Sequence, residues 1–188
     1  NVSKMLYNLG TDSIIWGFAG GFSGEELCRQ LTAAGLRQEL IFLHNGNTRI
    51  NVKLSAGQET EVNAKGPQAE EEALQIFYRR LEALTAEDYV VLSGSLLPGM
   101  PCDSYRQIMQ QLQGRGVHFI VDTTGESLRE TLPLHPFLIK PNQRELEELF
   151  KTELTQRSQV AELAKQLQEM GAENVLVSLG GDGAVCVA

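Results

Sequence analysis

The chain has 188 residues, enough for one good-sized domain with at most a small appendage. An apolar fraction of 42% with 21% charged residues is ordinary for a soluble globular protein. The net charge of −8 argues against nucleic acid and anionic membranes as partners, and no apolar run approaches membrane-spanning length. Small phosphates are still allowed, because local cationic groups and helix N-termini can bind them whatever the net charge.

Helices and strands alternate along the chain. Apolar residues at helical spacing predict helices near 2–9, 24–34, 73–84, 105–112, 143–150 and 160–170, and a short helix starting at 123–125. Ser23 is expected to cap the second helix, with Glu26 as its partner three residues on. Short apolar runs predict strands at 13–18, 39–43, 90–92, 118–122, 137–140, 174–179 and 184–187. The alternation predicts an α/β fold of right-handed βαβ units, with a mostly parallel sheet and helices on both faces.

One segment follows a different pattern. Residues 48–54 and 59–63 alternate polar and apolar side chains, and the intervening Ser55-Ala56-Gly57 is turn-like. This alternation is typical of an antiparallel hairpin with one face in water. We therefore expect 47–64 to form a small separate sheet, inserted into the main domain.

The three cysteines, Cys28, Cys102 and Cys186, are isolated and form no Cys-x-x-Cys or Cys/His cluster. Such a set argues against a structural zinc site and suits a reducing cytoplasm, which is the compartment we expect. The sequence begins inside a predicted helix at Asn1 and stops at Ala188 within an apolar run. We expect it to be an excerpt of a longer protein.

Several predicted strands end in small or polar residues. The motifs at these ends are Ser93-Gly94-Ser95, Lys140-Pro141-Asn142 and Ser178-Leu179-Gly180-Gly181. Open α/β sheets bind ligands at the carboxyl edge of their strands. Glycine lets a ligand approach the backbone closely, and serine offers a hydroxyl and an amide. The pattern predicts one ligand site along this edge.

Each candidate site residue also has a purely structural interpretation. Arg49, on the predicted hairpin, could hold a phosphate through two parallel hydrogen bonds or could be a solvated strand arginine. Glu145 could help hold Mg²⁺ through water, but Asn142 followed three residues later by glutamate is also a helix-capping box. Asp122, at a strand end, could support the site's other groups or cap the following helix.

The glycine-rich segment 180–183 is equally open. Together with Ser178 it could shape a nucleotide pocket, whereas Gly-Asp-Gly also suits a β-turn. The segment is too short for a P-loop or a dinucleotide fingerprint, and it leads into a strand and not a helix.

Taken together, these motifs resemble those of the ribokinase-like (PfkB) carbohydrate kinases, most closely the 1-phosphofructokinase branch. They come in the family's order and span nearly the whole chain: Asn1-Val2-Ser3, Thr48-Arg49-Ile50-Asn51-Val52-Lys53, Ser93-Gly94-Ser95-Leu96-Leu97-Pro98-Gly99, Val121-Asp122, Lys140-Pro141-Asn142-Gln143-Arg144-Glu145 and Val177-Ser178-Leu179-Gly180-Gly181-Asp182-Gly183-Ala184. The resemblance implies a ribokinase-like three-layer α/β fold in which the hairpin belongs to a β-lid. In many relatives that lid closes on the sugar and forms a homodimer contact.

The resemblance also implies two sets of site residues. The substrate-binding set, for a sugar phosphate, is Asn1, Arg49, Asn51 and Ser95. The cofactor-binding set, for ATP, is Lys140, Asn142, Ser178, Gly180 and Gly183, with Glu145 for Mg²⁺. On this interpretation Arg49 and Glu145 share one cleft.

The implied activity is ATP-dependent phosphorylation of fructose 1-phosphate to fructose 1,6-bisphosphate. Two alternatives within the family are tagatose-6-phosphate kinase and 6-phosphofructokinase, and an alternative of another class is a non-catalytic sugar-phosphate-binding protein. The family's Gly-Ala-Gly-Asp motif, whose aspartate is the general base, does not occur in the sequence. We expect it beyond Ala188, with a further N-terminal strand before Asn1.

Overall fold

The computed structural model describes residues 1–56 and 58–188, without the side chains of 53, 55–56 and 58–61. Its elements, in chain order, are α1 (Val2–Asn8), β1 (Ile14–Gly20), α2 (Gly21–Ala33), β2 (Arg37–Leu43), β3 (Asn51–Ala56), β4 (Gln58–Asn63), α3 (Glu71–Leu81), β5 (Tyr89–Ser93), α4 (Ser104–Gln111), β6 (His118–Asp122), α5 (Gly125–Arg129), β7 (Leu138–Ile139), α6 (Gln143–Phe150), α7 (Arg157–Glu169), β8 (Asn174–Ser178) and β9 (Ala184–Val187). Short 3₁₀ turns cover Leu132–Leu134 and Gly180–Asp182. The predicted α/β class and the order of its elements are confirmed.

The chain divides into two compact units. The first unit comprises Asn1–Arg80 and Leu97–Met100, and the second comprises Leu81–Leu96 and Pro101–Ala188. Among the described residues, the predicted sheet consists of two parts. The first unit contains the parallel pair β1–β2, and the second contains a five-stranded sheet ordered β5-β6-β7-β8-β9. Within the five-stranded sheet only β9 is antiparallel to its neighbour.

The core of the first unit forms where β2 and α3 meet. Ile41, Leu43 and Ala73 are buried there, and the partly buried Phe18 and Phe77 pack against them with Ile76 and Leu97. The rings of Phe18 and Phe77 lie 5.4 Å apart. These contacts hold the end of β1. The segment that carries the candidate sugar-binding residues Arg49 and Asn51 is hydrogen-bonded to this end through Thr48.

The second unit buries alternate residues of its strands. The residues that face its core on β6 and β8 are Phe119, Val121, Val175 and Val177, each at most 7% exposed. Helices α4 to α7 supply the facing leucines and methionine, namely Met109, Leu128, Leu146 and Leu167. Because β5, β6, β7 and β8 run parallel, their carboxyl ends lie at one edge of the sheet, and three of these strands end in a polar residue, Ser93, Asp122 and Ser178.

Strands β3 and β4 form the separate antiparallel hairpin that the alternating pattern predicts. Val52 pairs directly with Val62, and the two side chains are 44% and 55% exposed. The apolar side of the hairpin is therefore open, together with Leu54, which is 53% exposed. Ser55 and Ala56 belong to β3 and not to the predicted turn, whose remaining residue, Gly57, lies outside the described residues.

The prediction that Ser23 caps α2 is wrong. The helix starts at Gly21 with Gly20 at the N-cap position, so Ser23 lies inside the first turn. Its hydroxyl donates instead to the carbonyl of Thr48, at 2.7 Å. Glu26 pairs with Arg29, and that contact lowers the pKa of the Glu26 carboxyl to about 2.

Within the described part of the chain, none of the helices combines the length and the apolar character that crossing a bilayer requires.

Candidate active site

The carboxyl edge of the five-stranded sheet brings three strand ends side by side. Ser93 at the end of β5 is the register partner of Asp122 at the end of β6. The backbone N–H of Lys140, just after β7, donates to the carbonyl of Val121 at 3.1 Å. The edge therefore runs from the serine-glycine loop, through a carboxylate, to a lysine.

The next strand continues the same edge. Asn142 forms a single parallel bridge with Ser178, and the N–H of Ser178 donates to the carbonyl of Pro141 at 3.0 Å. The bridge extends the β7–β8 pairing beyond the strand that the backbone forms at 138–139. It places the Lys140-Pro141-Asn142 segment directly beside the strand that precedes the glycine-rich turn.

Lys140 and Asp122 form an ion pair at the centre of this edge. The Nζ of Lys140 lies 3.2 Å from the Oδ1 of Asp122, and the two side chains are 42% and 34% exposed. The capping alternative for Asp122 is wrong, because Thr124 is the N-cap residue of α5. The pair fixes the direction of a cation that remains accessible to a ligand.

Asn142 and Glu145 form the reciprocal capping box of α6. The Oδ1 of Asn142 accepts from the N–H of Glu145 at 2.9 Å, and the Oε2 of Glu145 accepts from the N–H of Asn142 at 2.8 Å. The capping interpretation is therefore confirmed. It does not remove Glu145 as a metal group, since the capping contact uses only one of its two carboxylate oxygens and the side chain is only partly buried.

The glycine-rich segment forms the tight connection between β8 and β9. The N–H of Leu179 donates to the carbonyl of Gly183 at 2.8 Å, which closes the turn. Gly180 and Gly183 have φ angles of +59° and +91°, a region that favours glycine, although a Cβ at either position would meet open space. Their requirement is therefore conformational, and the space above them is free for a ligand.

Gly94 and Ser95 leave the end of β5 as an exposed loop. Gly94 has a φ of +90°. The hydroxyl of Tyr105, on α4, lies 3.0 Å from the carbonyl oxygen of Ser93 and 3.1 Å from that of Gly94. Burial, and to a smaller extent the nearby charge of Asp122, raise the pKa of Tyr105 to about 12, so the hydroxyl is a neutral donor.

The candidate sugar-binding residues of the first unit follow a firmly anchored threonine. The N–H of Thr48 donates to the carbonyl of Gly20 at 2.8 Å, and its Oγ1 accepts from the N–H of Gly20 at 2.9 Å. With the Ser23 hydroxyl on its carbonyl, Thr48 has three tertiary hydrogen bonds. The next residue, Arg49, is exposed, and among the described residues it forms no ion pair.

Asn51 and Asn1 are exposed as well. Asn51 opens β3 and is paired with Asn63 across the hairpin. Asn1 occupies the N-cap position of α1, but its side chain does not cap the helix.

The predicted residues thus fall into two groups. Ser95, Lys140, Asn142, Glu145, Ser178, Gly180 and Gly183 belong to the carboxyl edge of the second unit. Asn1, Arg49 and Asn51 belong to the first unit. Sequence patterns missed Thr48, Ser23 and Tyr105, whose contacts lie between 11 and 28 residues away along the chain.

The pfkB family carbohydrate kinase model matches residues 1–188. The chain belongs to the pfkB family. It is 38% identical to the 1-phosphofructokinase of Bacillus subtilis over 185 residues, which is 98% of this chain and 61% of that protein.

Solved structures share the fold of this chain. Phosphofructokinase-2 from Escherichia coli, in complex with fructose-6-phosphate, superposes with a TM-score of 0.87 at 29% identity and covers 99% of this chain and 63% of that one. Ribokinase from Giardia lamblia has a TM-score of 0.74 at 17% identity, covering 93% of this chain and 55% of that one, and shows the fold alone. The predicted ribokinase-like fold is therefore confirmed.

This member of the pfkB family spans about three fifths of the length of the relatives it matches. Among its described residues, no group of three or more His, Cys, Asp or Glu side chains is arranged to hold a metal ion. A carboxylate such as Glu145 beside phosphate oxygens fits Mg²⁺, which keeps several waters and needs only one or two protein ligands.

Proposed function

We propose that the protein transfers the γ-phosphoryl group of ATP to the C6 hydroxyl of fructose 1-phosphate, giving fructose 1,6-bisphosphate. The observation that carries this proposal is the continuous edge in which Lys140, Asn142 and Ser178 lie side by side, within a pfkB family fold. A cation and exposed amides at the carboxyl ends of parallel strands suit a phosphorylated ligand.

On the nucleotide side, Lys140 would contact the ATP phosphates. Asn142 lies two residues further on, at the start of α6, and Glu145 would bind Mg²⁺ through water. Mg²⁺ supplies charge neutralisation of the phosphates when it is bound. Ser178 and the open space above Gly180 and Gly183 would receive the adenosine diphosphate portion.

On the sugar side, Arg49 would grip the phosphate that the sugar already carries. A guanidinium can donate two parallel hydrogen bonds to a phosphate, and no described carboxylate competes for it. Asn51, Ser95 and Asn1 would complete the sugar site. Catalysis would then consist of positioning and charge stabilisation.

A substrate panel tests the reaction. The full-length protein would be assayed for ADP release with fructose 1-phosphate, fructose 6-phosphate, tagatose 6-phosphate and tagatose 1-phosphate. We expect the highest kcat/KM with fructose 1-phosphate. A preference for a 6-phosphate would move the assignment to one of the alternative kinases, and binding without turnover would favour a non-catalytic sugar-phosphate-binding protein.

Arg49→Ala tests the phosphate grip. Hydrogen bonds to charged groups contribute about 1.5–3 kcal/mol, so the KM for the sugar phosphate should rise roughly 10- to 100-fold. The KM for ATP should stay within about twofold, because the proposed nucleotide residues are untouched. Arg29→Ala, an exposed arginine of the same unit, is the matched control and should change neither constant.

We also propose that the hairpin mediates a homodimer. Its apolar residues Val52, Leu54 and Val62 are about half exposed, and exposed apolar patches commonly mark protein interfaces. Sedimentation equilibrium of the full-length protein should give a dimer, and Val62→Asp should shift it to monomer. A monomeric wild type would overturn this assembly.

The three free thiols, Cys28, Cys102 and Cys186, support a cytoplasmic location.

A further inference from the structure

We propose that Tyr105 is a positioning residue that aims the backbone N–H groups of Gly94 and Ser95 at the sugar phosphate. The inference rests on the proposed function for the identity of the ligand. It stands on a contact between α4 and the end of β5: one buried hydroxyl lies within hydrogen-bond distance of two consecutive carbonyls.

The Tyr105 side chain is well placed to impose a direction. The residue is 8% exposed, so packing fixes its ring. Its single proton is shared between the Ser93 and Gly94 oxygens, at 3.0 and 3.1 Å. Both carbonyls therefore point toward α4.

Peptide planarity converts the direction of the carbonyls into a direction for the amides. In a trans peptide the C=O and the following N–H point in opposite directions. The carbonyl of Ser93 therefore orients the N–H of Gly94, and the carbonyl of Gly94 orients the N–H of Ser95. Both N–H groups point away from α4.

The two amides are available to a ligand. Gly94 and Ser95 are exposed, and in the part of the chain that the structure describes neither N–H donates a hydrogen bond. Successive N–H groups in a turn form a concavity that binds anions. The positive φ of Gly94, +90°, provides the turn. The Ser95 hydroxyl lies on the same loop, so side chain and backbone would act on one ligand.

A purely structural role for the Tyr105 hydroxyl predicts a different result from a positioning role. A structural bond would lower the thermal stability and would affect the binding of both substrates equally. A positioning bond would selectively weaken the sugar phosphate, because the amides it aims belong to the sugar side of the site.

The test uses the full-length protein with Tyr105→Phe, which keeps the ring and removes the hydroxyl. We expect the KM for fructose 1-phosphate to rise about 3- to 10-fold, the range that the loss of one neutral hydrogen bond produces. The KM for ATP should stay within about twofold. Tyr89→Phe, at the opposite end of β5, is the matched control and should leave both constants unchanged.

A second variant guards against a folding defect in the first. Gly94→Ala places a side chain where φ is +90°, although its Cβ would meet open space, so it should distort the loop without crowding. It too should raise the KM for fructose 1-phosphate selectively.

The outcomes separate this inference from the proposed function. One outcome would overturn the role of Tyr105 and leave the proposed function intact. In it the wild type turns over fructose 1-phosphate, and Tyr105→Phe changes the KM values for fructose 1-phosphate and ATP equally or not at all. A wild type that turns over no sugar phosphate would overturn the proposed function. In that case calorimetry would measure the affinity of the wild type and of Tyr105→Phe for fructose 1-phosphate. An equal affinity in the two proteins, or no binding to the wild type, would overturn the inference as well.

Discussion

The ammonium group of Lys140 lies 3.2 Å from the carboxylate of Asp122, across the adjacent ends of two parallel strands. Both groups are partly exposed, and exposed ion pairs contribute only about 0–1 kcal/mol to stability. The pair therefore contributes too little to the stability of the fold for stability to be its main role. Its clearest consequence is to hold a cation in one direction at the site proposed for the ATP phosphates.

Asp122→Asn should therefore separate stability from activity. The free energy of unfolding should change by less than about 1 kcal/mol, because the pair is half solvated. The value of kcat should fall roughly tenfold or more, since small displacements of a positioning group have large effects on rate. Chemical denaturation and steady-state kinetics of the full-length protein measure the two quantities.

Glu26→Gln is the matched control for Asp122→Asn. It breaks an exposed ion pair with Arg29 in the first unit, whereas the proposed nucleotide residues belong to the second. Its kcat should equal that of the wild type. If both variants lose activity to the same extent, the Lys140–Asp122 contact has no special role.

Glu145→Gln distinguishes helix capping from metal binding. Glutamine also completes a capping box, so the free energy of unfolding should change by less than about 1 kcal/mol. The loss of negative charge should nevertheless raise the Mg²⁺ concentration needed for half-maximal activity about tenfold. A magnesium titration of the full-length enzyme at saturating ATP measures this, and an unchanged titration curve would assign Glu145 to capping alone.

Ser23→Ala tests whether the anchoring of Thr48 matters to its neighbour Arg49. Losing the 2.7 Å bond to the Thr48 carbonyl should reduce stability by about 0.5–1.5 kcal/mol. It should also raise the KM for fructose 1-phosphate about threefold, with the KM for ATP unchanged. Ser127→Ala removes a comparable bond, to the carbonyl of Cys102, and should leave both KM values unaltered.

The carboxyl edge of the five-stranded sheet could be predicted from sequence because its signals are local. Three of its residues end or directly follow a short apolar run, namely Ser93, Lys140 and Ser178. Each can be recognised from the adjacent sequence, without knowing which residues lie beside it in the fold. A parallel sheet then aligns the carboxyl ends of its strands, so local terminations become adjacent in space. The register bears this out for Ser93 beside Asp122 and for Asn142 beside Ser178.

The hydroxyl contacts could not be predicted, because tertiary packing chooses their partners. Tyr105 fits the apolar side of an amphipathic helix, and periodicity registers its ring but not its oxygen. Ser23 has the spacing of a capping residue, yet the helix begins two residues earlier, at Gly21. Its hydroxyl is therefore left to a carbonyl 25 residues away.

Tyr105 should also give the protein a distinctive response to alkali. Burial, and then the charge of Asp122, raise its pKa from 10.0 to about 12 in the folded state. Between these two values the unfolded chain loses the phenolic proton while the folded chain keeps it, so unfolding releases a proton and stability falls as pH rises. Below about pH 10 the group contributes no pH dependence.

Thermal unfolding of wild type and Tyr105→Phe from pH 8 to 11.5 should therefore show a difference in stability that is constant at first and shrinks above about pH 10. A Tyr105→Phe curve that stays parallel to the wild type throughout would show that the phenol is not held in a buried, neutral state.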